Sequence, residues 1–105
     1  MKKIKKLDFE RMELDHKVAQ IFKESMEDPK GWISDLILDI EYDRQYIRIL
    51  TAFGGPTEWY TINTQKLTGR YFYHWQSYKR QITLNKKQVR TILQMVNEHE
   101  KRMRV

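Results

Sequence analysis

The sequence predicts a single α+β domain over residues 1–105, in which an antiparallel four-stranded meander is flanked by an N-terminal and a C-terminal helix (αββββα). Three observations support this fold class. The first and last segments place apolar residues three or four positions apart, as amphipathic helices do. The segments between them alternate apolar and polar residues, as half-buried strands do. The chain is also long enough for one modest core.

The first helix is predicted to end just before Pro29. Asp8 is a suitable N-cap residue. At the other end, proline disfavours helical geometry in the preceding Asp28, and Gly31 reinforces the stop. The apolar stripe expected to face the core comprises Leu7, Leu14, Val18, Ile21, Phe22 and Met26.

Two strands are predicted next, joined by a tight turn near Asp43–Arg44. In WISDLILDIEYD the apolar residues alternate with Asp35, Asp39 and Glu41, which is the period of a half-buried strand. The segment QYIRILTAF alternates in the same way. The GGP triplet that follows predicts a break, because glycine and proline favour turn geometry.

The third and fourth strands are predicted in EWYTIN and RYFYHWQSY. The TQKLTG segment between them reads as a turn in which Gly69 supplies a positive φ. The aromatic content of RYFYHWQSY is typical of a strand. A short QITL then either extends the sheet or leads into the last helix.

The last helix has a clear predicted start. Asn85 is a good N-cap, Gln88 occupies the capping-box position, and Leu84 and Val89 stand where a hydrophobic staple would join. Its buried stripe is predicted to comprise Val89, Ile92, Leu93, Val96 and Met103.

The formal net charge of +6 favours acidic partners and is unevenly distributed. Four lysines lie among residues 2–6, residues 8–43 are mildly acidic, and the chain from Lys66 onward is strongly basic. No apolar run approaches the ~20 residues that span a bilayer, and MKKIKK is not followed by an apolar signal region. With no cysteine in the chain, we expect a cytoplasmic protein with no membrane partner.

No catalytic constellation is evident. His16, His74 and His99 fall on three different elements, without the spacing of a metal site. Asp35, Asp39 and Glu41 would share one strand face, roughly 7 Å apart in sequential pairs. Such acids could bind a divalent ion, but they are also typical of an exposed sheet face. We therefore expect a protein that is not an enzyme and uses no cofactor or metal.

The aromatic strand has two faces. Tyr71, Tyr73 and Trp75 point one way, and Phe72, His74 and Tyr78 point the other, together with Arg70 and Arg80. If the first set packs on the helices, the second forms an exposed aromatic and basic face. Such a face can stack single-stranded bases, and it can equally anchor a protein partner. The residue pattern leaves both interpretations open.

The stretch YIRILTAFGGPTEWYTINTQKLTGRYFYHW contains a strand, a Gly-Gly-Pro-Thr break, a second strand and an aromatic strand with a tryptophan. It resembles small, mostly uncharacterised proteins of bacteriophages and mobile elements. The resemblance carries over no catalytic residue. It implies a stoichiometric inhibitor of a host machine such as a defence nuclease, similar in outline to anti-CRISPR and antirestriction proteins.

Two functions are therefore expected from the sequence. The first is a non-enzymatic inhibitor that binds a host protein, with an acidic strand edge beside a basic half. The alternative is a DNA- or RNA-binding domain that uses the basic last helix and the aromatic strand. Either a monomer or a homodimer is compatible with the chain. The candidate binding residues are Asp35, Asp39, Glu41, Arg70, Phe72, His74, Tyr78, Lys79, Arg80, Lys86, Lys87 and Arg90.

Overall fold

A five-stranded antiparallel sheet with both long helices on one face forms the body of the molecule. The computed structural model describes residues 6–103. Lys2, Lys3, Lys5 and Arg104, which contribute to the predicted charge, and the Leu7 side chain of the predicted stripe lie outside what it describes. The elements are α1 (Lys6–Glu27), α2 (Pro29–Trp32), a 3₁₀ turn (Ser34–Leu36), β1 (Asp39–Asp43), β2 (Tyr46–Ala52), β3 (Thr57–Asn63), β4 (Thr68–Trp75), β5 (Tyr78–Leu84) and α3 (Lys86–Met103).

The predicted α+β class, the meander and the two terminal helices are confirmed, but the prediction of four strands is wrong. The segment RYFYHWQSY is not one strand, because the chain reverses at Gln76–Ser77 and Trp75 pairs with Tyr78. Gln76 takes a positive φ of 52° in this turn. The sequence marks the reversal only weakly, because Ser77 is a common turn residue but the positive φ falls on Gln76 rather than on a glycine or asparagine.

The first strand is shorter than predicted. Ser34–Leu36 form a 3₁₀ turn, and regular pairing with β2 begins only at Asp39. Asp35 is therefore not in line with Asp39 and Glu41. The apolar alternation through Leu36 and Leu38 misled the prediction, because both side chains are exposed.

The core lies between the helices and one face of the sheet. From the helices, Val18, Val89 and Ile92 are fully buried, and from the sheet so are Ile49 and Ile62. Three tyrosines of the sheet join them with about 1% exposure: Tyr60, Tyr71 and Tyr73. Burying large rings is an efficient way for a short chain to remove apolar area from water.

The structure confirms some of the predicted features of the helix ends and not others. Asn85 accepts a hydrogen bond from the Gln88 backbone N–H at 2.8 Å, and the Gln88 side chain accepts one from the Asn85 N–H at 2.9 Å, so the predicted capping box is present. The helix α1 is already formed at Lys6, which places Asp8 inside it rather than at its N-cap. Met103, predicted to be buried, is 72% exposed.

Gly69, near the β3–β4 turn, has a different role from the one that the sequence predicted. Leu67, not Gly69, takes the positive φ there, at 54°. A Cβ on Gly69 would lie 2.6 Å from the Ile62 side chain and 2.7 Å from the Thr61 carbonyl oxygen. Gly69 is therefore required for close packing between strands. In the GGP break, Gly54 does adopt a positive φ, of 100°.

Candidate docking surface on the open sheet face

The side of the sheet that faces away from the helices carries a mixed aromatic and charged surface. Because side chains alternate along each strand, the register assigns every strand residue to one side. We call this side the outer face. Its central members are Asp39, Glu41, Arg48, Leu50, Trp59, Thr61, Arg70, Phe72, His74, Lys79 and Gln81.

An aromatic cluster occupies the middle of the outer face. Trp59 and Phe72 are cross-strand partners whose rings stack at 4.8 Å between centroids with an interplanar angle of 8°. His74 meets the Trp59 ring edge-on at 4.6 Å. All three side chains remain partly accessible to solvent. Leu50 lies on β2 and is paired with Trp59, so it extends this cluster along the same face toward β1.

Both faces of the Trp59 ring are occupied within the protein. Arg48, on β2, places its guanidinium carbon 5.2 Å from the Trp59 ring centroid. Phe72 approaches from β4, on the opposite side of β3. A cation over an indole face is favourable, and it removes that face from further stacking. Trp59 therefore presents its edge, rather than a free ring face, to a partner.

Charge changes sign across the outer face. On β1 the exposed carboxylates of Asp39 and Glu41 form an acidic side, with Glu41 paired directly to Arg48. On β4 and β5 the exposed Arg70 and Lys79 form a basic side. The aromatic cluster lies between these two sides, so the outer face has an apolar centre with a rim of both signs.

His74 is the titratable group at the centre of the face. Desolvation lowers its pKa, and the Lys79 ammonium, on the residue paired with it across the strands, lowers the pKa further. The imidazole is therefore held toward its neutral form, which suits its contact with the Trp59 ring.

Six of the sequence-predicted residues come together on this face. Arg70, Phe72, His74 and Lys79 lie on the aromatic and basic part. Asp39 and Glu41 lie on the acidic part, on β1.

Tyr78 and Arg80 were predicted on the same face and are not there. The turn at Gln76–Ser77 resets the alternation, so Tyr78 joins the core at 7% exposure and donates a hydrogen bond to the Asp15 carboxylate. Arg80 also lies on the helix side, where it donates to the Asp15 backbone carbonyl and pairs with the Asp15 carboxylate at 3.7 Å. Both side chains fasten α1 to β5.

The other predicted residues also lie elsewhere. Asp35 accepts a hydrogen bond from Arg102 at 2.8 Å, and Arg102 also donates to Ser34, so this group ties the end of α3 to the 3₁₀ turn. Lys86, Lys87 and Arg90 are exposed on the first half of α3. That helix packs on the opposite side of the sheet from the aromatic cluster.

The candidate residues taken from the sequence omit five central members of the face: Arg48, Leu50, Trp59, Thr61 and Gln81. The signal was available for Trp59, because in EWYTIN it alternates with Tyr60 and Ile62, both fully buried. For Arg48 the same alternation applies between Ile47 and Ile49. The predicted meander already makes these strands neighbours, but only the register of the sheet shows which residues of β2 and β3 lie beside Phe72.

Within residues 6–103 no three histidine or carboxylate groups come together as metal ligands. Over the same residues, no helix combines the length and apolar character needed to cross a bilayer. Comparison of the chain with family models, with curated proteins and with solved structures gives no significant match. The geometry of the outer face is therefore the basis for a functional assignment.

Proposed function

We propose that this chain is a non-enzymatic binding protein that docks onto another protein through its outer face. One observation carries the proposal: a half-buried cluster of Leu50, Trp59 and Phe72 lies uncovered at the centre of a rim that holds both acidic and basic side chains. Protein interfaces have this anatomy, with aromatic and arginine anchors at the centre and a polar rim around them.

The contacts of Trp59 favour a protein over single-stranded nucleic acid. Base stacking needs a free ring face, and the two faces of Trp59 are taken by Arg48 and Phe72. The carboxylates of Asp39 and Glu41 on the same face would also repel a phosphate backbone that crossed the sheet. A protein surface of mixed charge meets neither obstacle.

The partner we propose is a host defence nuclease, which the chain would inhibit stoichiometrically as a phage-encoded protein. The resemblance of residues 46–75 to phage and mobile-element proteins supports this origin. The opposite charges of β1 and of β4–β5 would suit a nuclease surface, where a basic nucleic-acid channel lies beside acidic flanks. The expected location is the cytoplasm of the bacterial host.

A capture experiment tests the docking surface. The tagged protein is incubated with bacterial lysate treated with nuclease, and bound proteins are identified by mass spectrometry. We expect a stoichiometric protein partner with the wild type, and about 30-fold weaker binding or more with Phe72→Ala, the loss typical of an interface hot spot. Met103→Ala is the control, because it also removes an exposed apolar side chain, but at the far end of α3. Equal loss in both variants, or in neither, contradicts the proposal.

Direct binding of DNA or RNA is the second candidate, and a specific charge distribution favours it. Residues 59–97 contain seven lysines or arginines and no aspartate or glutamate. They are Lys66, Arg70, Lys79, Arg80, Lys86, Lys87 and Arg90. Phosphate binding would weaken with salt at a log–log slope of about −0.9 for each phosphate neutralised on duplex DNA.

The double substitution Lys86→Glu with Arg90→Glu separates the two candidates. It should abolish nucleic-acid binding and leave capture of a protein by the outer face unchanged. The variant should remain folded, because acidic residues near the start of α3 complement the helix dipole. Retention of salt-sensitive nucleic-acid binding in this variant would move any phosphate contact to Arg70 and Lys79.

A further inference from the structure

The strand β5 forms an open edge of the sheet. It pairs with β4 on one side only, and within residues 6–103 its backbone makes no hydrogen bond to any other segment. At seven residues it is longer than β1, the other edge strand, which has five. An unpaired edge of this length is a ready template for another extended chain.

The two-residue turn identifies which backbone groups are available. In such a hairpin the flanking pair, here Trp75 and Tyr78, is hydrogen-bonded, and hydrogen-bonded pairs then alternate along the ladder. Tyr78, Arg80 and Ile82 therefore direct their N–H and C=O groups toward β4. The backbone groups of Lys79, Gln81 and Thr83 point to the open side.

A groove opens next to this edge on the helix side of the sheet. Met12, His16 and Ala19 of α1 line it together with Asp15 and Arg80, and its volume is about 310 Å³. Met12 is 50% exposed there. Asp15 and Arg80 neutralise each other across the groove, which leaves Met12 and Ala19 to contact an apolar side chain.

The charge around the edge indicates what would bind it. Lys79 is exposed on the outer side of β5, and Lys86 and Lys87 follow directly after the strand. No acidic residue lies between Glu58 and Glu98 in the chain. A second copy of β5 would bring a like-charged strand to this edge, whereas an acidic segment would be attracted to it.

We propose that the β5 edge accepts an extended, acidic segment of another protein as a sixth strand. Side chains alternate along such a strand. Those on the helix side would be apolar and enter the groove near Met12, and those on the outer side would be acidic and approach Lys79. This second surface does not depend on the aromatic cluster of the outer face, so either can fail without the other.

The test uses a fluorescent peptide of about eight alternating glutamate and valine residues, enough to span β5. Its binding is followed by fluorescence anisotropy and by the amide NMR shifts of residues 79–83. We expect Gln81→Pro, which removes an outward N–H, to weaken binding by about tenfold or more, while Gln81→Ala binds nearly as the wild type does. Lys79→Glu should weaken binding by up to about fivefold.

A second set of peptides leaves the protein unchanged. In these peptides every other residue is N-methylated, in one of two frames. The first frame removes the N–H groups that would face β5, and the second frame removes the N–H groups that would face solvent. One frame should abolish binding and the other should not. Equal affinities for the two frames, no binding at all, or equal binding of a lysine–valine peptide would each overturn the proposal. So would a peptide-free dimer that Gln81→Pro dissociates, since the edge would then pair with a second copy.

Discussion

The two faces of this sheet use the same class of residue for different purposes. On the helix side Tyr71 is fully buried, packs on Phe22, and donates its hydroxyl hydrogen bond to Glu58. The next residue, Phe72, points to the outer face and stacks on Trp59 in partial contact with solvent. One position along the strand separates a core residue from a candidate anchor.

The buried and the exposed aromatic rings of this sheet differ in the polar groups that they carry. The buried rings of β4 and β5 are tyrosines, and two of their hydroxyls reach carboxylates of neighbouring elements, Tyr71 to Glu58 and Tyr78 to Asp15. The stacked pair of the outer face, Trp59 and Phe72, carries no hydroxyl. The buried rings therefore stabilise the fold through packing and hydrogen bonding together, and the outer pair leaves ring edges and the indole N–H available to a partner.

The largest expected difference between the faces is in stability. Tyr71→Ala should lower the free energy of unfolding by about 3–5 kcal/mol, because it leaves a cavity in the core. Phe72→Ala should lower it by only about 1–2 kcal/mol, because the ring is only partly buried. Urea unfolding measures both. Similar losses for the two variants would mean that the outer face belongs to the structural core.

Alkaline pH should destabilise the fold through the buried tyrosines of the helix side. Burial raises the pKa of Tyr60, Tyr71 and Tyr73, and burial with the Asp15 carboxylate raises the pKa of Tyr78 to about 12. Tyrosines of the unfolded chain ionise near pH 10. Above that pH the folded state holds more protons than the unfolded state, so stability falls as pH rises.

Urea unfolding at about pH 8 and about pH 11 would measure this loss. Tyr78→Phe should make it smaller, because one of the shifted groups is gone. A stability that does not change over this range would show that the tyrosine hydroxyls are accessible to solvent.

A matched pair of arginines gives a smaller difference. Arg80→Ala should cost about 1–2 kcal/mol, because Arg80 joins β5 to the Asp15 carbonyl and carboxylate on α1 at a partly buried site. Arg70→Ala should cost about 0.5 kcal/mol or less, since its hydrogen bond to Gln81 is exposed. Thermal unfolding of both variants checks the assignment of the two side chains to opposite sides of the sheet. The reverse order would place Arg80 on the outer face, as the sequence alone predicts.

The smallest expected effect is the response of the outer face to mild acid. Desolvation and Lys79 lower the pKa of His74. The unfolded state therefore binds more protons near pH 6.5, and stability should decline as the pH falls through that value. His74→Gln should remove this dependence, and Lys79→Gln should reduce it. An NMR titration in which His74 ionises above the ordinary histidine range would contradict the assignment.

Much of the fold could be predicted from the sequence because its signals are local. The capping box of Asn85 and Gln88, the stop at Pro29 and the alternation in β2 and β3 each involve residues within a few positions of one another. Part of the site could be predicted in the same way, since alternation alone places Phe72 and His74 on the face of the strand that faces away from Tyr71 and Tyr73.

Other features had no local signal. The turn at Gln76–Ser77 has no glycine, asparagine or proline, and missing it moved Tyr78 and Arg80 to the wrong side. In the same way, the apolar alternation through Leu36 predicted a strand where a 3₁₀ turn forms, and the partner of Asp35 in that turn is Arg102, which is far away in the chain.

The sequence by itself determined the α+β class, the stop of the first helix before Pro29, the start of the last helix and the parity of β1 to β4, since all of these depend on the preferences of neighbouring residues. Tertiary structure alone decided the reversal that makes the fifth strand, the side of the sheet that the helices cover, and hence that Arg48, Trp59 and Phe72 meet on an open face. These depend on pairings between distant segments, whose free energy comes from burial and packing of the whole chain rather than from any short stretch of it.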